Sequence, residues 1–259
     1  MTHIVFDIGG THMRVAAVTG DGIGPVSRVH TPQDPEEAMH ALVDAVRSVS
    51  IDVDSVIGGV AAIVAEDGSI VFSTNLPEWG GYALAAKLTL ALAAHVTIRN
   101  DAELAGLGEA VYGAGKGYGS VAYLGIGSGV GTSRIIDGNI EPHSSDGSMR
   151  YGIITLQDGR TLEECIGGKS LETRYGNKLE ALPASVWKEL TPLLLEGIQN
   201  MASSWNPDVI VLGGSLVNEK TGFNIDELIR LRGDNAPPLF RASLGDSSGL
   251  YGAKALAEQ

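Results

Sequence analysis

Three glycine-rich turns, each directly after a run of apolar residues, limit what this chain can fold into more sharply than any other feature. They are Asp7-Ile8-Gly9-Gly10-Thr11, Gly125-Ile126-Gly127-Ser128-Gly129-Val130-Gly131-Thr132 and Leu212-Gly213-Gly214-Ser215. Glycine lets a turn approach a ligand closely and aim backbone N–H groups at an anion. One such turn usually just makes a tight corner. Three of them, in a chain with 35 glycines among 259 residues, point to a nucleotide held largely by backbone. Other phosphate signatures are absent. There is no Gly-x-x-x-x-Gly-Lys-Ser/Thr, and the first turn opens a hairpin rather than a helix.

Between these turns strand and helix patterns alternate, as in an α/β protein. Strands are expected up to Ile8, over Arg14 to Thr19 and near Val26–Val29, with Asp21-Gly22 as a hairpin signal. Asp34 and Pro35 read as the cap and first residue of a helix whose apolar face is Met39, Leu42, Val43 and Val46. Val56–Val60 and His95–Asn100 read as strands, with a helix at Leu84, Leu88 and Leu92 between them and another over Ala102–Tyr112. The pattern then restarts with strands over Ser120–Gly125 and Ser133–Ile136, and Asp137-Gly138 is again a hairpin signal. Gly9 to Gly22 and Gly125 to Gly138 are both thirteen residues apart, which suggests two related strand–turn–hairpin units. Thr191-Pro192 is expected to start a long helix that Pro207 stops, followed by a strand over Asp208–Leu212 and a short helix after Gly249. The expected domains are 1–100 with the terminal helix 248–259, and 101–247, meeting through a hinge near Asn100–Glu109.

The net charge is -13, with Lys+Arg 18 against Asp+Glu 31, which opposes general binding to nucleic acid, anionic membranes or long polyanions. Small phosphorylated ligands stay compatible with it, because backbone N–H groups and a metal ion can hold phosphate. The single cysteine, Cys165, excludes an internal disulfide and any cysteine-rich zinc site. The six histidines show no metal-ligand spacing. No apolar run is long enough to cross a membrane, the first residues read directly as a strand, and the expected compartment is the cytoplasm.

Asp7 stands just before the first turn, where a carboxylate repels phosphate unless a cation intervenes. Mg2+ held largely through water suits it. Asn100-Asp101 ends a strand and begins a helix. Two readings of the pair stay open: a helix cap, or a general base that takes a proton from a hydroxyl attacking a γ-phosphoryl group. Asn100 could also hold neighbouring hydroxyls through its amide.

In order along the chain stand Asp7-Ile8-Gly9-Gly10-Thr11, Thr74-Asn75-Leu76-Pro77-Glu78-Trp79, Asn100-Asp101-Ala102, Gly106-Leu107-Gly108-Glu109, the Gly125–Thr132 run, Val211-Leu212-Gly213-Gly214 and Gly249-Leu250-Tyr251-Gly252-Ala253. Together they resemble the ROK family (repressors, open reading frames, kinases), which includes bacterial glucokinases and related hexose kinases. The resemblance implies the two-domain actin-like, RNase H-like ATPase fold: a duplicated mixed β-sheet with flanking helices and an interdomain cleft. It implies ATP and Mg2+ as cofactors, a small sugar as substrate and, as a family expectation, a homodimer. By the same resemblance Asp101 matches the catalytic base, Asn100 its sugar-binding neighbour and Glu163 a glutamate that contacts the sugar. Thr74 or Asn75 would lie on the sugar-side loop. Gly9, Gly10 and Thr11, with Gly127, Ser128, Gly129, Gly131 and Thr132, match the phosphate loops, and Gly213-Gly214 the adenosine loop.

The chain departs from that family in two places. The Glu-x-Gly-His segment that binds sugar hydroxyls, and in many members zinc, is missing; the best-aligned stretch is Arg150-Tyr151-Gly152-Ile153. The cysteine-rich zinc motif beside Gly159-Arg160-Thr161-Leu162-Glu163 is also gone, so no zinc site is expected. Arg150 could turn into the sugar site and select an acidic sugar. Three readings follow: an ATP-dependent hexose kinase, a sugar- or nucleotide-sensing relative without turnover, and a polyphosphate-dependent glucokinase, which Ala114-Gly115-Lys116-Gly117 would suit. The acidic charge, with no DNA-binding segment ahead of the first strand, argues against a repressor.

Overall fold

A computed structural model describes residues 1–20, 22–141, 153–176, 179–218, 221–233 and 236–259. In chain order the first elements are β1 (His3–Ile8), β2 (His12–Thr19), β3 (Gly22–Ile23), β4 (Ser27–His30), α1 (Pro35–Val49), β5 (Ser55–Val60), β6 (Ile63–Val64), β7 (Ile70–Phe72), α2 (Leu84–Leu92), β8 (His95–Asn100) and α3 (Asp101–Val111). There follow β9 (Ser120–Ile126), β10 (Val130–Ile136), β11 (Asn139–Ile140), α4 (Leu162–Ile166), α5 (Gly168–Tyr175), α6 (Ala184–Trp205), β12 (Val209–Gly213), α7 (Ile225–Leu231), β13 (Leu239–Arg241) and α8 (Ser248–Ala257). They divide into two compact units, Met1–Gly108 with Ser247–Gln259, and Glu109–Asp246. Among the described residues no helix is long and apolar enough to cross a membrane.

In the first unit the sheet runs β3-β2-β1-β5-β8, with β4 also paired to β2. β1 and β2 form an antiparallel hairpin, while β1, β5 and β8 run parallel. One face is the core: Ile4, Phe6, Ile8, Met13, Val15, Val56, Val60 and Ile98 bury against Leu42 and Val46 of α1 and Leu84 and Leu88 of α2. α1 starts where its sequence dictates, with the Asp34 carboxylate accepting from the Glu37 amide at 2.9 Å and Pro35 at the first position.

In the second unit the order is β11-β10-β9-β12-β13, again an antiparallel hairpin (β9–β10) followed by parallel partners (β9–β12–β13). The equal glycine spacing thus corresponds to two hairpins of the same design. Glu109 is fully buried. Its carboxylate accepts from the backbone amides of Ala114 at 2.9 Å, Ser243 at 3.0 Å and Leu244 at 2.9 Å, which tie α3's end to the segment after β13.

One element differs from the sequence expectation. α6 begins at Ala184, with Pro183 as its cap residue, and passes through Pro192 instead of starting there. Val186, Trp187 and Leu190 lie buried ahead of the proline, and Trp187 packs edge-on against Phe223 with ring centroids 5.3 Å apart. Proline inside a helix costs about 3 kcal/mol, and burial of these large side chains outweighs it. The Thr191 hydroxyl donates to the Trp187 carbonyl at 2.8 Å in this stretch.

On the other face of the first sheet, α8 lies against β1 and β5. It meets α3 where both lack side chains: a Cβ on Gly252 would collide with the Leu104 carbonyl, and one on Gly108 with the Ser248 carbonyl. Gly252→Ala is therefore expected to force α3 and α8 apart and lower the unfolding free energy by about 1–3 kcal/mol in urea denaturation; an unchanged midpoint would contradict this packing.

Candidate functional site

The candidate residues of the first unit collect at the carboxyl ends of β1, β5 and β8, the place where open α/β sheets present ligand sites. The turn after β1 is held at both ends. The Gly9 amide donates to the His12 carbonyl at 3.0 Å, and the Thr31 hydroxyl and amide donate to the carbonyls of Gly9 and Thr11 at 2.9 Å each. Gly10 is tightly packed, since a Cβ would sit 3.0 Å from Cβ of Asn75. Asn75 belongs to a loop fastened to the end of β5, where the Ser73 hydroxyl donates to the Ala61 carbonyl at 2.7 Å and accepts from the amides of Asn75 and Leu76. The turn thus packs directly on the segment carrying the exposed Thr74.

Asn100 is buried and caps α3. Its side-chain oxygen accepts from the amides of Ala102 at 3.0 Å and Glu103 at 3.2 Å, and its Nδ2 donates to the Ala62 carbonyl at 3.0 Å. The cap fixes the start of α3 and with it Asp101, whose Oδ1 accepts from the Ala102 amide at 2.9 Å. Asp101 is partly buried. Loss of hydration, and then the charge of Asp7, push its carboxyl up to about 7. β5 makes this close arrangement possible. Gly59 is paired with Asp7 in β1, and a Cβ on it would stand 3.2 Å from Cα of Asp101. Asp7 itself bonds Arg14 across the hairpin at 3.1 Å, both side chains being largely buried, and Gly249 at the start of α8 lies over its Oδ1.

In the second unit the other two glycine turns are neighbours at the carboxyl ends of β9 and β12. The Leu216 amide donates to the Ile126 carbonyl at 3.0 Å, and Gly214, at φ +90°, lies so close to that carbonyl that a Cβ would collide with it. Glu163 stands under the Gly125–Thr132 loop. Its Oε2 accepts from the Val130 amide at 2.8 Å, and a Cβ on Gly129 would be 2.5 Å from that oxygen. The start of α5 closes the loop, with the amides of Gly168 and Lys169 donating to the carbonyls of Gly127 and Ser128 at 2.8 and 2.9 Å. Thr132 departs from its expected place in a phosphate loop. It lies within β10, is 1% exposed and finds no hydrogen-bond partner for its hydroxyl among the described residues. Arg150 lies outside the described residues. No group of three or more His, Cys, Asp or Glu that could hold a metal ion occurs among the described residues.

The family model for ROK proteins matches residues 3–259. The chain belongs to the ROK family. A glucokinase of Streptomyces coelicolor is 25% identical to this ROK chain over 98% of it and 96% of the relative. A polyphosphate glucokinase of Mycobacterium tuberculosis is 26% identical over 95% and 88%. Among solved structures, a ROK family glucokinase from Streptomyces griseus in complex with glucose and AMPPNP superposes with a TM-score of 0.81 at 23% identity, covering all of both chains. The α/β architecture is that of the actin-like ATPases, as the glycine turns and the repeated hairpin lead one to expect.

Several residues of this ROK site escape a reading of sequence. Arg14, Gly59 and Ser73 act through pairing across strands, and only the hairpin register of β1 and β2 could have matched Arg14 with Asp7. Glu163, by contrast, was legible, but not its place beneath a backbone amide.

The raised carboxyl of Asp101 has a consequence for stability. Its ordinary value is 3.8 and its folded value about 7. Between these the native state holds a proton that the unfolded chain has lost, so the contribution is favourable at low pH and declines as pH rises towards 7. In metal-free buffer, Asp101→Asn should gain stability relative to the wild type as pH is raised from about 4 to about 7, with no further gain above. A difference independent of pH in urea titrations would contradict the burial of this carboxyl.

Proposed function

We propose that this chain is a hexose kinase, transferring the γ-phosphoryl group of ATP to a hydroxyl of a hexose or hexose derivative. The observation that carries the reading is Asp101: a partly buried carboxyl poised near neutrality, at the carboxyl end of β8, within a ROK fold. A general base works best when its pKa lies near the working pH, because it is then available yet still basic. Ionised, Asp101 takes the proton of the attacking hydroxyl as the oxygen–phosphorus bond forms. Oδ1 accepts from the Ala102 amide, which leaves Oδ2 as the atom for that proton.

The remaining candidates act around this step. Asn100 keeps one Nδ2 hydrogen beyond its bond to Ala62 for a sugar hydroxyl, and Glu163 keeps Oε1 as an acceptor. Thr74 and Asn75 border the sugar from the loop behind β7. Backbone of Gly9, Gly10 and Thr11 and of Gly127, Ser128, Gly129 and Gly131 receives the phosphates, and Gly213-Gly214 the adenosine. The hard carboxylate oxygens of Asp7 fit Mg2+ held through water and substrate phosphate. When bound, that ion would supply positive charge against the phosphates. Phosphoryl transfer asks little covalent chemistry of a protein, so position and electrostatics account for most of the rate. The names of the glucokinase relatives, and the glucose and AMPPNP bound by the Streptomyces griseus enzyme, support a hexose and a nucleoside triphosphate as the pair.

Purified protein with ATP, Mg2+ and a panel of neutral, amino and acidic hexoses should phosphorylate at least one sugar. Asp101→Asn should lower kcat by about a hundredfold or more with KM for the sugar little changed. Full activity in that variant would remove Asp101 from the reaction. For Glu163, Glu163→Ala removes the acceptor under the Val130 amide and should weaken nucleotide binding about tenfold, measured without sugar. Glu163→Gln keeps an oxygen there and should retain most of it. Equal nucleotide binding by wild type and Glu163→Ala would show that the loop does not need this support.

A further inference from the structure

The second unit holds a cavity of about 400 Å³ for which phosphoryl transfer has no use. It lies between the last turns of α6 and the segment that joins α7 to β13. Asn206, which precedes β12, and Ala236-Pro237, which precede β13, are among its lining residues. The cavity is therefore at the amino ends of two parallel strands, whereas Gly213-Gly214 stands at the carboxyl end of β12. The length of β12 separates the two places by about 15 Å. A volume of this size is that of a small-molecule site.

The lining is uneven in its chemistry. On α6, Leu195, Ile198 and Ala202 follow one another at helical spacing and give an apolar stripe. Gln199, Ser203 and Asn206, all exposed, give a polar stripe beside it. Arg232 comes from the other element and carries the one formal charge among the described lining residues. It is the cap residue of α7. Its Nη1 donates to the carbonyls of Gly233 at 3.4 Å, of Pro237 at 3.1 Å and of Ala236, which ties down the turn before β13. That structural task uses only one of the guanidinium nitrogens. Nε is buried and finds no partner among the described residues.

A buried N–H on a charged group without an acceptor is costly, and native proteins keep few of them. The edge formed by Nε and Nη2 of a guanidinium is a fork that matches a carboxylate in two parallel bonds. A helix end carries partial negative charge, which disfavours an anion beside the end of α6. The carboxylate thus belongs at Arg232, with the apolar body along Leu195, Ile198 and Ala202. A dicarboxylate would bring a second charge where no second cation lines the cavity among the described residues. A sugar would leave the apolar stripe without a partner.

We propose that this cavity is a binding site for a small monocarboxylic acid with an apolar body, separate from the place of phosphoryl transfer. It requires neither nucleotide nor hexose, so it stands independently of the kinase reading.

The test is a titration of nitrogen-15-labelled protein with benzoate and hexanoate, and with benzamide and hexanol as their uncharged counterparts. Backbone amide shifts give the affinity. The arginine Nε–Hε signals report the contact, that of Arg232 being assigned by its disappearance in Arg232→Lys. This variant keeps the charge and loses the fork, while Ala202→Phe fills the cavity and keeps the arginine. Melting temperatures confirm that both fold. Expected are saturable shifts for at least one acid, with a Kd on the order of millimolar or below, and an Arg232 signal that moves with occupancy. The matching neutral compound should bind about tenfold more weakly or worse, and both variants should lose about tenfold or more of the acid's affinity. No saturable binding of either acid, equal affinity for acid and neutral counterpart, an unmoved Arg232 signal, or full affinity in either folded variant would each overturn the proposal.

Discussion

The repulsion between two carboxyl groups, Asp7 and Asp101, is the constraint around which the first unit is arranged. Asp7 lies one residue before the end of β1 and Asp101 directly follows β8, the strands on either side of β5, where a Cβ on Gly59 would stand 3.2 Å from Cα of Asp101. Each is compensated differently. Asp7 receives Arg14 from the other strand of its hairpin. Asp101 receives backbone amides at the start of α3, and its carboxyl is pushed up to about 7.

The glycines serve this arrangement by subtraction. Gly108 and Gly252 let α3 and α8 touch through backbone, which brings the first turns of both helices to the carboxyl ends of the strands. Gly249 lets the start of α8 lie over Asp7, and Gly10 lets the phosphate turn rest on Asn75. In the second unit Gly129 makes room for the Glu163 carboxylate in the same way. A chain with so many glycines gives up conformational entropy on folding. What it obtains is backbone brought near to backbone, and backbone open to ligand.

Much of this was legible beforehand, for identifiable reasons. β1, the helix starts at Asp34 and Asn100, and the repeated hairpin all declare themselves locally, through apolar runs, caps and turn residues. Asp101 could be singled out locally as a carboxylate at a strand end beginning a helix, where a cap and a general base were both open readings. α6 was misread at Pro192, since the burial of Val186, Trp187 and Leu190 against the second core is a tertiary fact that overrides a local breaker. Thr132 was grouped with the glycine run and lies in a strand for a similar reason: β10 already begins at Val130, where pairing with Ile126 and not glycine content decides. The cavity at Arg232 could not be read at all, because the end of α6 and the turn before β13 become neighbours only in the folded second unit.

The most direct test of the account is the titration of Asp101 itself, followed by carboxyl carbon NMR in metal-free protein and assigned by its disappearance in Asp101→Asn. The account predicts a midpoint of about 7. A midpoint near the ordinary value of 3.8 would contradict it, because a carboxyl that ionises so readily is neither desolvated nor opposed by Asp7.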